Sequence, residues 1–145
     1  VVDFREKMDS IKRFITDTYP AYLEPTGIGP PSVTSEYLDF DKFQKTFTVF
    51  VEYQAVNFGG SAWASDCGDV ARVSTNIFLA IRKTDRLKDR LYAASSAFYE
   101  MFRRERTDIA DNITVRELDF FEGVEGQQNV IALARFAIDF EIRYH

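Results

Sequence analysis

The 145-residue chain has one cysteine, one histidine and one tryptophan. A lone cysteine closes no internal disulfide, and one thiol with one imidazole is too small a set of soft ligands for a structural zinc site. The histidine is the last residue, His145, a position that a purification tag also supplies, so a general base built on imidazole is not expected. Neither sign of charge dominates: 18 Lys and Arg stand against 23 Asp and Glu, a formal charge of −5. Long apolar runs are missing too, each stretch being broken within a few residues by charge. The start, Val1-Val2-Asp3-Phe4-Arg5-Glu6-Lys7, lacks the basic head and apolar middle of a signal peptide. These features read as a soluble, cytosolic protein with no membrane partner. What the chain does have is apolar bulk, 46% hydrophobic with 15% aromatic residues. That is enough to bury the core of a single domain over residues 1–145.

Periodicity orders the elements. Phe4, Met8, Ile11 and Ile15 recur at helical spacing from Asp3 to about Thr18, and Pro20 is expected to end that helix near Tyr19. A turn-rich crossing through Pro25, Gly27, Gly29, Pro30 and Pro31 follows. Ser32–Phe40 and a run from about Gln44 to Phe58 read as a β-hairpin, with Phe47, Val49, Val51 and Tyr53 on one face and Phe50 half covered on the other. Gly59–Asp69, carrying Trp63, reads as a projecting loop. Val73, Thr75, Ile77, Leu79 and Ile81 favour a strand over Arg72–Lys83. Leu87, Leu91, Ala94, Phe98 and Phe102 mark a second helix over Arg86–Arg104, capped by Thr84 or Asp85 and closed by Arg103, Arg104 and Arg106. Ile113–Phe121 alternates Ile113, Val115, Glu117 and Asp119 against Thr114, Arg116, Leu118 and Phe120, as an edge strand. Glu122–Asn129 is expected to turn, and Val130–Tyr144 alternates without a break. The order α, β, β, β, α, β, β has no βαβ repeat. It points to an α+β fold: a mostly antiparallel sheet of about five strands with two main helices on one face.

Strand length bears on function. A domain of this size is somewhat under about 40 Å across, whereas fifteen extended residues reach about 50 Å at roughly 3.3 Å each. The runs Gln44–Phe58 and Val130–Tyr144 are therefore expected to overshoot the globule and to pair with another copy, unless bulges bend them back. Candidate interface residues are Trp63, as an aromatic anchor, and Phe58, Arg135, Asp139, Glu141 and Arg143.

No constellation for catalysis, a cofactor or a metal stands out. Cys67 lies among Asp66, Gly68 and Asp69, and acidic neighbours raise a thiol pKa rather than activate it. Asp39, Asp41, Asp66, Asp69, Glu122 and Glu125 are read as solvated turn acids rather than a hard-metal site. Gly27-Ile28-Gly29-Pro30-Pro31 has prolines where a phosphate loop needs N–H donors. Arg103-Arg104-Glu105-Arg106 is the densest basic patch, yet Asp111–His145 sets three Arg against seven acids, so specific nucleic-acid binding is not expected. The alternative to an assembly protein is a small-molecule-binding or enzymatic α+β domain with an aromatic pocket, lined by residues such as Tyr53, Phe98, Tyr99 and Phe136. A third reading is an adaptor subunit of a secretion machine.

The layout resembles a known group. The N-terminal helix, the Pro/Gly-rich crossing, Phe47-Thr48-Val49-Phe50-Val51, the strand Ile77-Phe78-Leu79-Ala80-Ile81-Arg82 leading to Asp85–Tyr92, and the closing Ala134–Tyr144 resemble the tail terminator and tail-completion proteins of tailed bacteriophages and prophages. The resemblance covers nearly the whole chain and carries no site residue across. It implies a non-enzymatic α+β subunit that forms a homo-oligomeric ring, commonly a hexamer. Such a ring caps the tail tube once its length is set and meets the head-tail connector, in the host cytoplasm before assembly and in the virion tail afterwards.

Overall fold

A computed structural model of the chain describes residues 3–35, 46–58, 69–82, 87–105, 110–126 and 129–144. Helix α1 spans Phe4–Leu23, and the Asp3 carboxylate caps it by accepting from the Arg5 and Glu6 amides. The helix does not stop at Pro20 as expected but runs one turn further. A proline inside a helix costs about 3 kcal/mol in lost hydrogen bonding and crowding. Here that turn buries Leu23 and keeps Tyr19 in register, fully buried, with its hydroxyl donating to the Ala94 carbonyl at 2.6 Å. The Pro20 carbonyl still accepts the Glu24 amide. A 3-10 turn, Glu24–Thr26, then ends at Gly27, whose φ of 75° suits a residue without a Cβ.

Five strands make one sheet in the order β1-β2-β3-β5-β4, with β1 Ser32–Thr34, β2 Phe47–Phe58, β3 Asp69–Arg82, β4 Asn112–Gly126 and β5 Asn129–Tyr144. Pairings from β2 to β4 are antiparallel, but β1 lies parallel to β2 along Thr48–Phe50. The expected hairpin of the first two strands is therefore corrected. A parallel neighbour requires a crossover rather than a tight turn, and residues 36–45 between the two strands fall outside the described set. The expected turn at Glu122–Asn129 is corrected as well, because β4 continues to Gly126 and β5 restarts at Asn129. The loop carrying Trp63 and the caps at Thr84 and Asp85 lie outside the described residues.

The second helix, α2, spans Leu87–Arg104. Both helices lie on one face of the sheet and enclose a single core. Ile11, Ile15 and Tyr19 of α1 and Leu91, Phe98 and Met101 of α2 meet Val49, Ile77, Leu79, Phe136, Ile138 and Phe140. Phe98 stands at the centre, 5.0 Å in ring centroid distance from each of Tyr19, Phe102 and Phe136. The fold is α+β, as the sequence indicates, with a mixed sheet.

Two substitutions measure what holds this core. Phe136→Ala is expected to destabilise the fold by about 3–5 kcal/mol through cavity formation, and Tyr19→Phe by about 1 kcal/mol through loss of the buried hydroxyl-to-carbonyl hydrogen bond. Urea unfolding of both variants beside the parent chain checks the ranking.

Candidate assembly surface

The registers of the sheet settle where each candidate residue points. On β5, Phe136, Ile138, Phe140 and Ile142 face the helices, so Arg135, Asp139 and Glu141 share the opposite face. There they do not stand free. Arg135 donates to Asp119 through Nε at 3.0 Å and through a second guanidinium N–H, reaches Asn76 Oδ1 at 3.4 Å, and lies 3.6 Å from Glu117. Arg116 meets Asp139 at 2.9 Å, and Arg72 meets Glu141 at 2.8 Å. Three of the six predicted interface residues thus form one cross-strand ion ladder within the subunit. Exposed pairs of this kind contribute about 0–1 kcal/mol each. Asp139 differs in being 9% exposed, with Oδ1 buried and lacking a hydrogen-bond partner among the described residues.

The pairs of this ladder that reach β4 exist because of a bulge that the sequence pattern conceals. Strict alternation would put Glu117 and Asp119 on the face of Ile113 and Val115. Between Val115 and Glu117 the register shifts by one residue, so Val115 opposes Ile138, Glu117 opposes Ala137, and Leu118 opposes Phe136. Leu118 and Phe120 therefore join Ile113 and Val115 on the helix face, while Glu117 and Asp119 turn to meet Arg135. The extra residue, Arg116, is the one that reaches Asp139.

Of the remaining candidates, Phe58 ends β2 on the helix face, 60% exposed, with its ring 6.0 Å from Phe4. The side chain of Arg143 and the whole of Trp63 lie outside the described residues. Sequence reasoning missed the apolar flank of β4. Phe120, 41% exposed, packs edge-on against the Tyr92 ring of α2 at 5.0 Å, with Leu118 beside it and Phe121 exposed on the other face. The signal was present in Leu118 and Phe120-Phe121 within an edge strand, but without the bulge it could not be assigned to a face.

Strand lengths resolve differently from expectation. The long final strand does not overshoot into solvent. β5 is an interior strand, hydrogen-bonded to β3 along one edge and to β4 along the other. β2 is bent by a bulge between Tyr53 and Ala55. Among the described residues, the edges with no strand beside them are that of β4, along its whole length, and that of β2 beyond Phe50.

The four aromatics proposed for a pocket do not gather around one. Phe98 and Phe136 pack against each other in the core, Tyr99 is 45% exposed on α2, and Tyr53 is half-buried on β2, its hydroxyl pKa raised by burial and by Asp9. A cleft of about 400 Å³ lies at the end of α2, lined by Phe102, Arg103, Glu105, Asp111 and Ile113 among others. Its Arg103 is already held by Glu100 at 2.9 Å. Among the described residues no three His, Cys, Asp or Glu side chains are placed to hold a metal ion, and no helix is long and apolar enough to cross a membrane. Compared with known proteins, the chain matches no family model and no curated protein.

The Arg135 guanidinium holds the Asp119 carboxyl below the ordinary carboxylate range. A carboxyl with a depressed folded-state pKa contributes stability that is complete above its unfolded value, near pH 4, and is lost as pH falls through the folded value. Asp119→Asn should therefore lower the unfolding midpoint at pH 6, with the difference from the parent chain shrinking toward pH 2. Thermal melts across that range test the sign.

Proposed function

We propose that this chain is a non-enzymatic structural subunit of a phage-like tail, similar to tail terminator and completion proteins, acting as a ring that closes the tail tube and meets the head connector. The observation carrying this reading is the pair of sheet edges, on opposite sides of one subunit, that no described strand covers. An edge strand is a row of unpaired N–H and C=O groups that invites strand pairing. One edge here is flanked by Leu118, Phe120 and Tyr92 and the other by Phe58 and Phe4. Two different edges on one chain suit head-to-tail association, which closes into a ring when the rotation between subunits allows it.

The face away from the helices supports the same reading. Its described charges are Glu52, Glu117, Asp119, Asp139 and Glu141 against Arg72, Arg116 and Arg135, with Arg82 toward the far end of β3. A wall of mutually paired charges with an acidic surplus presents few free cations to a passing polyanion.

The test is direct. Purified chain mixed with tail tubes from its own phage should bind at one tube end in electron micrographs, and a phage deleted for this protein should give tubes not joined to heads. Normal infectious particles from the deletion, or no association with tubes, would overturn the proposal.

A further inference from the structure

The registers carry the ring reading further, to the rows that make its contact. Followed across the sheet, Tyr53 pairs Thr75, Thr75 pairs Ile138 and Ile138 pairs Val115, while Asn57 pairs Arg72, Arg72 pairs Glu141 and Glu141 pairs Asn112. The stretch Tyr53–Asn57, on an edge that no described strand covers, therefore lies level with Asn112–Val115 on the other such edge. β2 and β4 also run in opposite directions, being separated by three antiparallel pairings. A rotation about an axis along the strands preserves level and direction, so it brings β4 of one copy antiparallel against β2 of the next, the more favourable mode of pairing.

Resting on the ring reading, we infer that the subunit contact is an antiparallel ladder between Tyr53–Asn57 of one copy and Asn112–Val115 of a second copy, continuing the sheet from subunit to subunit. Three observations select a second copy as the occupant. First, the faces agree. Tyr53 and Val56 on one edge and Ile113 and Val115 on the other are all half-buried apolar residues packed against the helix-side core. Level pairing sets Val56 beside Ile113 and Tyr53 beside Val115, so each edge covers what the other leaves open. On the far face, Ala55 meets Thr114 and Asn57 meets Asn112, with no like charges opposed.

Second, the edge has a step and the partner strand has a bend at nearly the same level. Beyond Val51 toward the chain start the edge passes from β2 to β1, and there β4 carries its bulge at Arg116, within about two rungs of the step. Past the bulge, Phe120 lies level with half-buried Val33 of β1, through Ala134, Leu79 and Val49. On the charged face Glu117 comes level with Glu52 just outside the paired stretch, and Arg135 lies near both.

Third, the area fits a weak, concentration-dependent contact. Sheet edge and helix layer together are about 20 Å deep, and over the roughly 27 Å of α2 they give a flat footprint on the order of 500 Å². That is below the roughly 800 Å² per partner of a standard stable interface and in the range of weaker contacts.

A charge-swap pair tests the rows. Ala55 and Thr114 are both exposed and lie three strands apart within one subunit, beyond the range of unscreened interaction at physiological salt. The double variants Ala55→Lys/Thr114→Lys and Ala55→Asp/Thr114→Lys share one substitution, so its local effect cancels between them. Sedimentation velocity over a concentration series should show the lysine–lysine chain dissociating at least tenfold more readily than the aspartate–lysine chain. Asn57→Lys/Asn112→Lys against Asn57→Asp/Asn112→Lys repeats the comparison one row on, and far-UV circular dichroism confirms that each variant is folded. Equal assembly by both members of both pairs would overturn this contact while leaving the ring reading standing. A parent chain that stays monomeric at every concentration would overturn both. Assembly that follows the charges without binding to tail tubes would uphold the contact and remove the tail reading.

Discussion

The structure depends on β5 being hydrogen-bonded along both edges. From Asn129 to Tyr144 it pairs with β3 on one side and β4 on the other, and its alternating side chains divide the molecule in two. Phe136, Ile138 and Phe140 lie fully buried beneath the helices, while Arg135, Asp139 and Glu141 face away into the ion ladder. A slip of one residue would exchange the two sets, placing charge in the core and rings against water, so the register is strongly specified. The α2 helix runs along this strand, with Phe98 on Phe136 and Phe102 near Phe140. α1 is tied to α2 in turn by Tyr19 and Phe14.

An interior strand of that length has a consequence at the rim. β3 and β5 pair over fourteen rungs, about 45 Å, whereas α1 and α2 are about 30 Å and 27 Å long. The helices cannot cover the sheet end to end. In one uncovered part stands an exposed ring, Phe58 at the end of β2. Bulges at Val115/Glu117, Phe121/Val124 and Tyr53/Ala55 bend the edge strands. Bulges commonly blunt an edge against indiscriminate pairing, and here they restrict regular pairing to short, defined stretches. A short stretch pairs selectively with an edge whose bends match its own.

The ladder on the far face sets polar specificity in the same framework. Its members are neighbours across strands rather than along them, so it forms once the sheet has its correct order. Arg135 is the hub, with Asp119, Glu117 and Asn76 around it. Arg116 has the heavier duty, because Asp139 is almost wholly buried and a buried carboxylate without its cation is strongly destabilising.

Much of this was legible in the chain itself. Alternation in β2, β3 and β5 and the helical spacing of Leu87, Leu91, Ala94, Phe98 and Phe102 fix element type and buried face, because burial follows periods of 2 and 3.6 wherever the backbone is regular. The α+β class and the edge position of β4 follow from the same pattern. Tertiary structure decided whatever breaks regularity or joins distant segments. Pro20 stays helical because Tyr19 and Leu23 gain burial that local preference does not register. β1 pairs in parallel, and β5 lies between β3 and β4, because strand order is a long-range choice. Arg116 bulges, reversing the side chains that follow until the second bulge at Phe121/Val124 restores the phase, and so Arg135 and Asp139, though chosen from sequence as interface candidates, came to face partners within their own subunit, as Glu141 does through Arg72.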